Sequence, residues 1–147
     1  MTHASLSFFS PVGRLLLASL FVMAGIGKLT APEATAGYMA SGGLPSSAML
    51  AMAVGLLELL GGLAILLGFK ARWAALALAA FTLLASLLFH NYWSAPADQQ
   101  FMQQLLFSKN IAVAGALFFL AAVGAGPWSL DSRIDASTES PQGALAR

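Results

Sequence analysis

The sequence predicts an all-α protein, specifically an integral membrane antiparallel four-helix bundle. Three observations predict it. Of 147 residues, 59% are hydrophobic and 9% are charged, against about 25% charged in an ordinary soluble domain. Four apolar segments, about 8–28, 46–69, 72–90 and 101–124, are separated by Pro, Gly and charged residues, and as helices each approaches or exceeds the length needed to cross a hydrocarbon core about 30 Å thick. The linker Gly68-Phe69-Lys70-Ala71-Arg72 between the second and third segments is too short for anything but an antiparallel helical hairpin.

Each element follows from local chemistry. No Lys or Arg precedes Arg14, so the first segment lacks the basic flank of a cleaved signal peptide and is expected to be retained. After it, Pro32 at a helix start, Glu33 in the first turn and Gly42-Gly43 beyond the end frame a two-turn helix at the membrane interface. The connection Asn91 to Gln100 is polar, and its Tyr92 and Trp93 suit the headgroup boundary. Residues 1–127 form one transmembrane domain. The polar stretch 128–147, rich in Ser, Asp and Thr, is expected to be a disordered cytoplasmic tail. Arg14, Lys70, Arg72, Arg133 and Arg147 fall on one side and Lys28 on the other, which predicts that both termini are cytoplasmic.

Composition also excludes functions. With no cysteine, thiol redox chemistry, disulfide exchange and cysteine-ligated metal centres are ruled out. A net charge of +1 without a basic block argues against nucleic acid and leaves membrane lipid, protein or a small molecule as partners. His3 and His90 lie in unrelated segments with no carboxylate spaced to join them, so no metal site is predicted. Nor does any nucleophile stand beside a general base. No catalytic residue is assigned.

The informative residues are the charges inside the apolar segments. Glu58 stands alone in the run from Ser46 to Phe69, and a carboxylate at the centre of a membrane helix costs roughly 2.5 to 3.5 kcal/mol unless it faces a partner. Ala51, Gly55 and Gly62 share its helical face, and such small residues mark close helix contact. Glu58 is therefore expected to face protein. In the fourth segment, Lys109 with Asn110 beside it and Ala112 and Ala116 on its face is also expected to point inward and to meet Glu58. In the first, Arg14, Ala18, Phe21, Gly25 and Lys28 share one heptad-spaced face, from which Arg14 approaches Glu58 while Lys28 reaches headgroups.

On the third segment, Thr82, Ser86 and His90 make a polar stripe, open to a proton or ligand path or simply to hydroxyls bonding their own helix. Arg14, Glu58, Lys109, Asn110 and His90 are the candidate ligand-binding or structural centre. The excess of positive charge suits an anion or a quinone carbonyl. No cofactor is required, although a quinone would fit.

The same residues resemble the DoxX family of small four-helix membrane proteins. The resemblance runs from Val12 to Gly126 through Gly13-Arg14, Gly25-Ile26-Gly27-Lys28, Gly43-Leu44-Pro45, Glu58 with Gly61-Gly62 and Gly68, His90 with its aromatic neighbours, and Lys109-Asn110 with Gly115. It implies a multi-pass bacterial inner-membrane protein of a family linked to membrane redox systems. Related proteins include a small subunit of thiosulfate:quinone oxidoreductase and associates of superoxide-detoxifying and thiol-handling enzymes. With no cysteine, an accessory subunit beside a redox partner protein fits better than an enzyme. A proton-coupled transporter and a scaffold or assembly factor are the alternatives. Ala74, Ala75, Ala77 and Ala79 leave the third helix open to a second copy, which allows a homo-oligomer.

Overall fold

The computed structural model describes residues 3–139, with side chains over 7–138. Six α-helices follow in order: α1 (His3–Thr30), α2 (Pro32–Ser41), α3 (Ala48–Leu67), α4 (Ala71–Phe89), α5 (Ala97–Val123) and α6 (Leu130–Glu139), with a single 3-10 turn at Tyr92–Ser94 before α5. No strand occurs among the described residues. The four long helices, α1, α3, α4 and α5, are each long and apolar enough to cross a membrane.

Helix ends are set by local chemistry. Pro32 occupies the first position of α2, where its missing N–H costs nothing. Ser47 caps α3 by accepting the Leu50 N–H at 3.3 Å. Gly68, at φ 66°, ends α3. The Phe69 N–H donates to Ala64 at 2.9 Å and the Gly68 N–H to Ile65 at 3.1 Å, a Schellman closure that needs the left-handed conformation glycine adopts freely. The N-terminus of α4 is covered by the Asp131 carboxylate, which accepts the Lys70 N–H at 2.7 Å and the Ala71 N–H at 3.0 Å.

That carboxylate lies on α6, within the stretch expected to be a disordered tail. Through residue 139 the chain is instead helical. Its entry is fixed from outside: Asp131 holds the start of α4, and its own N–H donates to the Gly68 carbonyl at 2.9 Å. Residues 140–147 of the expected tail, Arg147 included, lie outside the described residues.

Packing is uneven along the bundle. The extensive helix contacts join α1 to α3 and α4 to α5. Gly25 of α1 comes so close to Gly55 and Leu59 of α3 that a methyl group there would meet backbone atoms at 2.6 to 2.9 Å. All four long helices converge in one core formed by Ala18, Phe21, Ile65, Ala75, Leu78, Ala79, Leu117 and Leu120. Ala75 and Ala79 are thus committed inside the chain. Of the four alanines expected to receive a second copy, Ala77 alone is exposed and Ala74 is half-buried. Toward the end that carries Lys28 and His90 the pairs part, and α2 packs there through Ala36 and Met39 against Ala51, Leu50, Val54 and Phe89.

Candidate ligand cavity

Between the two helix pairs, beneath α2, lies a cavity of about 400 Å³. That volume is within the range of small-molecule sites, which are mostly apolar with a few convergent polar groups. The wall conforms: Phe21, Met39, Leu44, Val54, Phe81 and Leu88 are among its apolar members, and Lys28, Glu58, Lys109, Asn110 and His90 reach it from α1, α3, α5 and the end of α4. Four of the five predicted site residues meet around one space.

Glu58 faces inward as its small neighbours imply, and it is 5% exposed. Its partner differs from expectation. Lys28 Nζ lies 2.6 Å from Glu58 Oε2, whereas neither Arg14 nor Lys109 forms an ion pair with it among the described residues. The Lys28 ammonium is thus the charged partner of Oε2. Lys28, expected to reach headgroups, instead turns to Glu58 and lines the cavity, with its side chain 27% exposed. The signal was in the sequence: Lys28 closes the heptad face that contains Ala18, Phe21 and Gly25, all of them buried.

Arg14 belongs to the opposite end. Its guanidinium donates to the Leu66 carbonyl at 3.0 Å and the Trp128 carbonyl at 2.8 Å, terminating α3 and holding the chain that leads into α6. It is 3% exposed, and its work is to satisfy carbonyls at a helix end. Arg72 does the same for α5, donating to Ala121 at 2.8 Å and Val123 at 3.3 Å.

Lys109 is exposed and stands at the cavity rim. The packed face of α5 carries Ala114, Leu117 and Leu120, with Asn110 and Val113 half-buried, while Ala112 and Ala116 face outward. The expected inward face is thus rotated away from the core. The small residue at the contact on α5 is Ala114, buried with Leu117 and Leu120, and not Ala112 or Ala116. Lys109 has no ion-pair or hydrogen-bond partner among the described residues.

The polar stripe on α4 is divided. The Thr82 hydroxyl donates to its own helix at Leu78, 2.7 Å away, as hydroxyls in membrane helices commonly do. Ser86 is fully buried with its Oγ unpartnered, and it lies outside the cavity lining. His90 Nδ1 lies 2.9 Å from Gln103 Oε1. With the amide oxygen as acceptor, this contact requires a proton on Nδ1. No group of His, Cys, Asp and Glu able to hold a metal occurs among the described residues.

Two cover residues were missed by sequence reasoning. Tyr38 of α2 stacks on Phe89 of α4 with ring centroids 5.0 Å apart. Both line the cavity and also a polar hollow beyond it, reached by Ser41, Asn91, Gln99 and Gln103. The stack separates an apolar chamber from a polar vestibule. Burial raises the Tyr38 phenol above its ordinary value.

Comparison with known proteins gives a consistent result. The DoxX family model matches residues 10–91. The chain is 42% identical over 120 residues to inner membrane protein YqjF of Escherichia coli (strain K12), covering 82% of this chain and 87% of that protein. It is 32% identical over 122 residues to inner membrane protein YphA of the same organism, covering 83% and 87% respectively. No solved structure matches.

Proposed function

The chain belongs to the DoxX family, and on that premise we propose that it is an inner-membrane accessory subunit whose cavity holds an amphipathic small molecule. The polar end of the ligand sits among Lys28, Glu58, Lys109 and Asn110, and its apolar remainder lies along the wall. Both a quinone and a long-chain anion meet that description. One observation carries the reading. Polar groups from four helices converge on a chamber of about 400 Å³ whose wall is otherwise apolar; a bundle that needed its charges only to pair helices would close over them. The association with a redox partner rests on the family resemblance.

Orientation follows the basic residues. Arg14, Lys70, Arg72 and Arg133 gather at the end opposite the cavity, and short basic loops stay in the cytoplasm. The chamber then lies in the outer half of the membrane, with both termini inside.

The test is saturable binding of a soluble quinone analogue and of a long-chain carboxylate to the protein in nanodiscs, repeated with Ala85→Trp, which places a large side chain in the cavity wall. Binding of either probe that Ala85→Trp abolishes supports the reading. Absence of binding, or binding indifferent to Ala85→Trp, overturns it.

A further inference from the structure

We propose that the occupant of the cavity is a single-chain lipophilic anion, a carboxylate whose head is held by Lys109 and Asn110 and not by the Lys28 ammonium. The inference rests on the ligand-cavity reading and adds the sign of the ligand's charge.

Charge pairing around the chamber is unequal. Lys28 and Glu58 stand 2.6 Å apart and neutralise one another, so that pair offers a ligand no net charge. Lys109 has no counter-ion among the described residues, although it stands within a helix long and apolar enough to span the membrane. A lone ammonium in such a helix is costly without a partner, and the chamber it borders is where a partner fits. Asn110, the next residue, lines the same chamber and makes no side-chain hydrogen bond among the described residues, so its amide can donate to a carboxylate oxygen. A charge-assisted contact of this kind is roughly twice as strong as a neutral one. A neutral quinone would leave Lys109 uncompensated.

Size selects a single chain. A cavity of about 400 Å³ lies toward the lower end of small-molecule sites, a size that suits one acyl chain beside Phe21, Val54, Phe81 and Leu88. Lys109 at the rim places the head at the chamber mouth.

The experiment measures saturable binding of tritiated dodecanoate to the full-length protein in phosphatidylcholine nanodiscs, at a pH where the carboxylate is ionised, with empty nanodiscs as background. Dodecanol, a short-chain ubiquinone analogue and dodecyltrimethylammonium serve as competitors. The expected result is saturable dodecanoate binding, weakened about tenfold by Lys109→Gln, retained in Lys109→Arg, and displaced at least about tenfold less well by each competitor than by unlabelled dodecanoate. Glu58→Gln, which frees the Lys28 ammonium, should tighten dodecanoate binding.

Equal affinity for dodecanoate and dodecanol, or binding unchanged in Lys109→Gln, overturns the charge assignment while leaving the cavity as a ligand site. Suppression of dodecanoate binding by phosphatidylglycerol would assign the site to membrane phospholipid and overturn the single-chain assignment. No saturable binding of any probe overturns both this inference and the reading on which it rests.

Discussion

Lys28 of α1 and Glu58 of α3 form an ion pair of 2.6 Å one helical turn from the Gly25 contact that brings their helices together. The two partners differ in access to polar surroundings: the lysine side chain is 27% exposed and the glutamate 6%. Removing one member of a buried pair costs roughly 3 to 5 kcal/mol, because the survivor is left charged and alone. The survivor that can move outward suffers less. Lys28→Met should therefore lower the unfolding temperature in detergent more than Glu58→Gln, and the double variant should recover part of the Lys28→Met loss. Equal effects of the two single variants would show that the pair's surroundings are symmetric.

Arg14 is expected to behave as a structural residue. Its bonds to Leu66 and Trp128 are of the charged kind, worth roughly 1.5 to 3 kcal/mol each. Arg14→Gln should reduce stability by about 3 kcal/mol and leave ligand affinity within a factor of about two. Thermal unfolding and ligand titration on the same preparation check both halves. A large change in affinity at unchanged stability would move Arg14 back toward the cavity.

The legible part of the fold and site was the part written as helical periodicity around a rare residue. The face Arg14, Ala18, Phe21, Gly25, Lys28 is buried through Gly25 and half-buried at Lys28, and the small residues around Glu58 lie against α1 as their spacing implies. Periodicity failed on α5, where every position after Asn110 is apolar and a membrane helix shows no hydrophobic contrast between lipid and protein. There the single lysine marks the cavity rim and not the packed face. The heptad face already points Lys28 inward, whereas α6 depends on a contact distant in sequence, the Asp131 cap on α4, which no local pattern reports.

That cap gives a third expectation. Asp131 accepts two N–H groups at the start of α4, and loss of such a cap costs roughly 0.5 to 2 kcal/mol. Asp131→Ala should lower stability by about 1 kcal/mol and expose the segment around Arg133 to trypsin. Cleavage rates unchanged from the parent protein would show that α6 is held by other means.

Close approach of α1 to α3 requires a hydrogen at residue 25. A methyl group at Gly25 would meet Leu59 N at 2.6 Å and Gly55 O at 2.7 Å, backbone atoms that cannot turn aside. Gly115 has nothing within 4 Å of the same position. Gly25→Ala should cost roughly 1 to 3 kcal/mol as overpacking. Gly115→Ala should be neutral or mildly stabilising, because alanine is the better helix former. Detergent unfolding of the two variants side by side decides.

The Tyr38 stack on Phe89 predicts a pH effect confined to the alkaline side. Burial raises the Tyr38 phenol, so in the folded protein it stays protonated at a pH where the unfolded chain has ionised. Its stabilising contribution is complete below the ordinary tyrosine value of about 10 and declines as pH rises from there through the raised value. Hydrogen exchange of α2 should therefore accelerate above pH of about 10, and Tyr38→Phe should remove the tyrosine's share of that acceleration. The same acceleration in the variant would place its origin elsewhere.

The most direct test of the cavity as a ligand site is native mass spectrometry of the protein released from its own membrane, with Ala85→Trp measured alongside. The parent chain should retain a single adduct of small-molecule mass that Ala85→Trp lacks, with both proteins folded. A parent chain carrying no adduct, or one that Ala85→Trp carries equally, would contradict the reading of the cavity as a ligand site.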